Sequence, residues 1–294
     1  MSTPFTSAAN TGATEMELIL SIVQEELVRA GKLLPTVKDY SSYAEPGLKS
    51  IEIPRFDSHF NNPAAQNPNG TTQTAFQTID FANDVLNLDK WVTLPYALPD
   101  RVVTQSRIRV VSELAASAGK TFARYMDDEI IVRLKAAADG AGGLPNHVIS
   151  VTGSNDSIAI ADIAQARMLL NKANVSENDR FLIVSPEREK EMLALENFIR
   201  ADAYGAREAL LDGEIGRVFG FRVMAHNGLA AEDAVAYHKD AVGYAIQRGM
   251  KYETRRRDLR LQSDEVAFSM GWGTVLLEQG VKQVLLQNPS GGEG

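Results

Sequence analysis

The stretch TQSRIRVVSELAASAGKTFARYMDDEIIVRLKAAA, residues 104–138, decides how the chain is built. Ile108, Val111, Ala115, Ala118, Phe122, Tyr125, Glu129 and Val132 recur at steps of three and four, the period of one helix face. No proline interrupts the run, and Asp139-Gly140-Ala141-Gly142-Gly143 stops it. A helix over 104–138 spans about 50 Å at 1.5 Å per residue. It is about three times the usual helix length, which suits a structural spine.

Ahead of the spine, residues 1–13 are rich in Ser, Thr, Ala and Asn and read as a flexible arm. A helix is expected over about 15–30. A Thr14/Glu17 capping box opens it, Gly31 closes it, and Met16, Ile19, Leu20, Val23 and Leu27 share one face. Residues 49–56 and 72–81 read as two strands around the turn-rich run Asn61-Asn62-Pro63-Ala64-Ala65-Gln66-Asn67-Pro68-Asn69-Gly70. The pattern predicts a long β-hairpin with a connection of about 15 residues, a length usually reserved for function. A lone two-stranded hairpin is marginal in water. A neighbouring subunit is therefore expected to cover it, with Ile51, Phe56, Phe76 and Ile79 as candidate contacts. Trp91, Val92, Leu94 and Tyr96 suggest a short strand ended by Pro95 and Pro99.

Beyond the spine, helices and strands alternate. A helix is expected over 158–172 and a buried strand over 180–184. Ser185-Pro186 then starts a helix with Glu187 and Glu189 in its first turn. Short helices are expected over 196–202 and 207–211. Residues 213–223 read as a hairpin with Phe221, Val223 and Ala225 facing inward, and 235–237 and 242–245 add strands. Val266, Phe268, Met270 and Trp272 alternate as in a half-buried strand, Val281, Val284 and Leu286 follow, and residues 288–294 form a loose tail. Arg255, Arg256 and Arg257 are a short basic run. In a strand they alternate faces, which favours subunit or intradomain ion pairs over a single patch for DNA.

The 294 residues carry 30 Lys and Arg against 38 Asp and Glu, a net charge of −8 that argues against a free domain built to wrap nucleic acid. There is no cysteine, which excludes disulfides, thiolate metal sites and a cysteine nucleophile. No stretch reaches the roughly 18 apolar residues of a membrane span. Residues 1–12 lack the basic start and apolar middle of a signal peptide. His59, His147, His226 and His238 have no metal-ligand spacing, and a surface or loop setting is expected for each. Tyr125-Met126-Asp127-Asp128 spells the catalytic tetrapeptide of reverse transcriptases. It falls inside the spine, with Asp127 and Asp128 expected outward, and reads as coincidence. Gly140–Gly143 ends a helix and lacks the lysine of a P-loop. No catalytic, cofactor-binding or metal residue is assigned, and no enzymatic activity is expected.

The order of elements is similar to the Hong Kong 97-type capsid fold of tailed-phage coat proteins and encapsulin shells. Asn178-Asp179-Arg180-Phe181-Leu182-Ile183-Val184-Ser185-Pro186 resembles that family's strand-to-helix step. Gly213 through Val223, followed by Asn227, resembles its glycine-rich hairpin. Ala241-Val242-Gly243-Tyr244-Ala245 resembles the strand leading back, and Asp264 through Leu277, with Trp272 between Gly271 and Gly273, the closing segment. The resemblance implies an α+β fold divided into an N-terminal arm (1–48), an extended β-hairpin loop (49–82), a peripheral domain with the spine helix (83–145), an axial α/β domain (146–246), and return strands of the peripheral domain with a C-terminal tail (247–294). It implies a phage major capsid protein that assembles into pentamers and hexamers around double-stranded DNA, in the virion and first in the host bacterial cytoplasm. A separate scaffolding protein, a portal protein and optionally a decoration protein are implied partners, with DNA met on the inner face without sequence specificity and no membrane. An encapsulin-like shell around a cargo enzyme is the alternative.

Overall fold

The spine forms as helix α2 (Val110–Lys135), 26 residues or about 39 Å long. It stops three residues short of the expected end. The computed structural model describes residues 19–27, 30–56, 81–99, 101, 110–153, 156–194, 216–258 and 263–288, so the expected start at 104 lies outside the described residues. The buried stripe of α2 is Ala115, Ala118, Phe122, Met126, Ile130 and Leu134. Tyr125 and Val132, assigned to that stripe from the sequence, are 37% and 61% exposed. After Phe122 the face continues at i+4. A step of three lands one residue early, about 100° around the helix.

The strands, in chain order, are β1 (Lys38–Asp39), β2 (Ser50–Phe56), β3 (Phe81–Asn87), β4 (Lys90–Pro99), β5 (Val148–Ser150), β6 (Arg180–Val184), β7 (Arg217–Val218), β8 (Phe221–Ala225), β9 (Ala234–His238), β10 (Val242–Asp258), β11 (Ser263–Leu276) and β12 (Gln283–Gln287). Three further helical segments are α1 (residues 19–27), α3 (Ile160–Lys172) and α4 (Pro186–Ala194). Ser185 Oγ accepts the Arg188 N–H at 3.2 Å and so caps α4 where the sequence places its start.

A six-stranded mixed sheet has the order β5-β12-β9-β6-β8-β7. Ile163, Ala166 and Leu170 of α3 and Met192 of α4 cover one face, packing on Leu182, Val184, Ala234, Ala236, Val284 and Leu286. Ile130, Ile131 and Leu134 of α2 cover the other, against Phe181, Ile183, Val235, Tyr237 and Leu285. With helices on both faces, the central strands β6 and β9 are buried at every position and read as apolar runs over 181–184 and 234–237.

A four-stranded sheet, β1-β10-β11-β4, packs on the other half of the spine. Val266, Phe268, Met270 and Trp272 of β11 meet Ala115, Ala118, Phe122 and Met126, with Val92, Leu94 and Tyr96 of β4 beside them. β4 runs through Pro95 instead of ending there. It is an edge strand, where a residue without an N–H is tolerated.

Residues 19–27 and 30–48 correct the expected arm. Val23, Leu33, Val37 and Ala44 are buried in the chain's own core, and β1 pairs in parallel with β10. The apolar face of α1 is covered by the spine of the same molecule. The division at residue 247 also shifts: β12 joins β5 and β9 in the six-stranded sheet instead of returning to the four-stranded one. Residues 1–18, the strand expected over 72–80 and the helices expected over 196–202 and 207–211 lie outside the described residues.

Candidate assembly surfaces

The base of the hairpin forms as a two-stranded ribbon. β2 pairs antiparallel with β3, from Ser50 opposite Asn87 to Phe56 opposite Phe81. Its second strand, over the described residues, is 81–87, running past the expected boundary at 82. Leu86 is fully buried with Ala44, Ala245, Val275 and Leu277, and Ile51, Ile53 and Leu88 pack beside it. At the rim, Asp84 Oδ2 accepts the Glu278 N–H at 2.9 Å and Asp84 Oδ1 lies 3.7 Å from Arg55 Nη1. The ribbon is thus fastened to the body along one side. Among the described residues neither strand has a second partner, and Val85 is 45% exposed.

Of the residues nominated as contacts, Ile51 is half-buried against its own chain, opposite Leu86. Phe56 is placed by its backbone pairing with Phe81; its side chain, Phe76 and Ile79 lie outside the described residues. Arg255 stands opposite Glu265 and Arg256 opposite Asp264 on β11. Arg256 Nη1 is 3.0 Å from Asp264 Oδ1, an intradomain pair. Both partners are well exposed, so it contributes about 0–1 kcal/mol. The Arg257 side chain lies outside the described residues.

An exposed aromatic was overlooked. Trp91 is 57% exposed, and the Arg248 guanidinium stacks 4.7 Å from its ring. The signal was present: strict alternation puts Trp91 on the face opposite Val92, Leu94 and Tyr96. Nearby, the Lys251 ammonium holds the Glu253 carboxyl below its usual range by a hydrogen bond and its charge.

The two units are joined by a buried carboxylate. Asp127, expected outward, is 1% exposed and accepts the N–H groups of Lys32 at 3.0 Å and Leu33 at 3.2 Å. His226, expected on the surface, meets it at 3.3 Å through Nε2. His226 Nδ1 accepts the Gly228 N–H, so the neutral ring carries its proton on Nε2 and donates it to Asp127. His147 and His238 are also buried, with Nδ1 of His147 donating to the Gln283 carbonyl at 3.1 Å. Sequence reasoning missed these because a lone polar residue on an apolar-periodic helix carries no mark of the distant backbone it will cap. Among the described residues, no group of three or more His, Asp or Glu could hold a metal ion. No helix among them is long and apolar enough to cross a membrane.

A family model described as phage capsid protein matches residues 29–285. The chain belongs to the phage capsid protein family. This capsid protein shares its fold with Mycobacterium phage Che8 at 21% identity and a TM-score of 0.66, over 85% of this chain and 89% of that one. It is similar to the capsid of Cyanophage P-SCSP1u at 19% identity and a TM-score of 0.68, over 86% of each chain. A virus-like particle from Pyrococcus furiosus aligns at 9% identity and a TM-score of 0.59, over 93% of this chain and 99% of that one. No curated protein matches the capsid protein in sequence. The α+β architecture is the Hong Kong 97-like fold. The protein is a structural component of the phage virion, a shell subunit that associates with its own copies.

Proposed function

We propose that the subunits form pentamers and hexamers of an icosahedral shell around double-stranded phage DNA. The observation that carries this reading is the β2–β3 ribbon, held at one side by its own body and without a further strand at either edge among the described residues. Two strands alone are marginal. An obligate interface of roughly 2,000–5,000 Å² supplies what the ribbon lacks. Assembly takes place in the host bacterial cytoplasm with a separate scaffolding protein, a portal protein at one vertex and a decoration protein as an optional addition. Packaged DNA meets the inner face without sequence specificity, and the subunit has no catalytic role.

Electron microscopy of the purified protein, with and without scaffold, tests this. Five- and six-fold rings or closed particles are expected, and a monomer at every concentration overturns the reading. A second reading keeps the fold, which the virus-like particle from Pyrococcus furiosus shares, for an encapsulin-like compartment around a cargo enzyme. Particles recovered from producing cells separate the two: packaged DNA favours the first, a co-purifying enzyme the second.

A further inference from the structure

The hairpin formed by β7 and β8 is firmly rooted and oddly tipped. Val218 and Phe221 stand opposite one another and are buried in the core of the six-stranded sheet. The two residues between them, Phe219 and Gly220, both have positive φ, 48° and 88°. That is the type I′ geometry, which calls for Asn, Asp or Gly at both positions because a Cβ crowds the backbone there. Gly220 fits. Phe219 does not: it is a bulky residue in a strained conformation, and its ring is 42% exposed. The subunit's own fold draws little from this side chain and would be served better by asparagine. Strain held at an exposed position points to a use outside the fold that bears it.

The flanking residues add an independent sign. Arg217 and Arg222 are direct cross-strand partners, both exposed, and like charges so placed repel. Neither forms an ion pair among the described residues. A cleft of about 380 Å³ opens beside them, over the buried Arg180. Of its two carboxylates, Glu177 is paired with Arg167 at 3.2 Å. Arg222 is kept in place by its guanidinium lying 5.6 Å over the Phe181 ring, itself stacked on Tyr237. An exposed aromatic flanked by two arginines has the composition of an interface hot spot. β7 is an edge strand of its sheet, with no further strand beyond it among the described residues.

We infer that the β7–β8 tip is a docking element: Phe219 inserts into a second copy of this chain, and Arg217 and Arg222 receive carboxylates of that copy. A second copy fits because the chain is self-associating and has eight more acidic than basic side chains to offer. The inference rests on the shell reading above.

The test compares the wild-type protein with Phe219→Asn. The variant should fold, melt at the same temperature or higher because strain is relieved, and need at least about tenfold more protein to assemble, the loss of about 1.4 kcal/mol. Assembly at the wild-type concentration overturns the inference, as does a variant that no longer folds, since the ring would then serve its own subunit. Arg217→Gln with Arg222→Gln should likewise weaken assembly in dilute salt. The gap should close near 1 M salt, where charges are screened within about 3 Å. Equal assembly in dilute salt overturns the ionic contact. If the wild-type protein forms no rings or particles, the shell reading itself has failed. If it assembles and Phe219→Asn assembles equally well, this inference alone has failed.

Discussion

Asp127 and His226 stand 99 positions apart in sequence, yet Asp127 Oδ2 lies 3.3 Å from His226 Nε2. The same carboxylate caps the backbone at Lys32 and Leu33. One side chain of the spine therefore fixes the leading segment and the turn after β8, and with them the placement of the two units. Asp127→Ala leaves the buried Leu33 N–H without an acceptor and should cost about 3 kcal/mol. Asp127→Asn offers one acceptor oxygen in place of two and should fall between. Urea denaturation of the two variants beside the wild type measures both.

Acid should weaken the fold through two other histidines. Burial pushes His147 and His238 below their ordinary value of 6.5. The unfolded chain then binds more protons than the folded one, so stability is full above about pH 6.5 and is lost as pH falls toward the lower folded values. Melting temperatures from pH 7.5 to 5 should drop below that point. His147→Gln should show a shallower acid slope, whatever its offset at neutral pH.

Gly273 marks where the ribbon meets the four-stranded sheet. A Cβ there would sit 2.0 Å from the Asn87 carbonyl oxygen and 2.9 Å from its carbon, both backbone atoms that cannot turn aside. Gly273→Ala should cost about 2–3 kcal/mol. Amide exchange in β2 and β3 should accelerate more than in the six-stranded sheet.

Arg188 is a buried cation with a full set of partners. Its guanidinium donates to the Glu232 carbonyl at 2.8 and 3.1 Å and to Glu191 Oε2 at 2.8 Å, and it also reaches the Asp156 carbonyl and Asn288 Oδ1. Arg188→Ala should cost about 3–5 kcal/mol by orphaning them. Arg188→Lys should recover little, because one ammonium cannot span a planar array of acceptors. Thermal melts of both variants decide this.

Much of the architecture was legible along the chain. The spine, the buried strand 180–184, the helix after Ser185 and the alternation of Val266 to Trp272 all follow from periodicities of 3.6 and 2 that local sterics impose. The turn at Phe219-Gly220 was visible as a glycine-rich hairpin, although not the strain at Phe219, which depends on the register that puts Val218 opposite Phe221.

Sequence alone determined the spine, the buried strand 180–184, the helix after Ser185, the alternating strand 266–272 and the family they resemble, because helix and strand patterns are short-range properties read within a few residues. Only the tertiary structure decided that Val23, Leu33, Val37 and Ala44 lie in the chain's own core, that β12 crosses to the other sheet, and that Asp127, His147 and His238 are interior. Those outcomes depend on which distant backbone and apolar surfaces meet, and no local period records that.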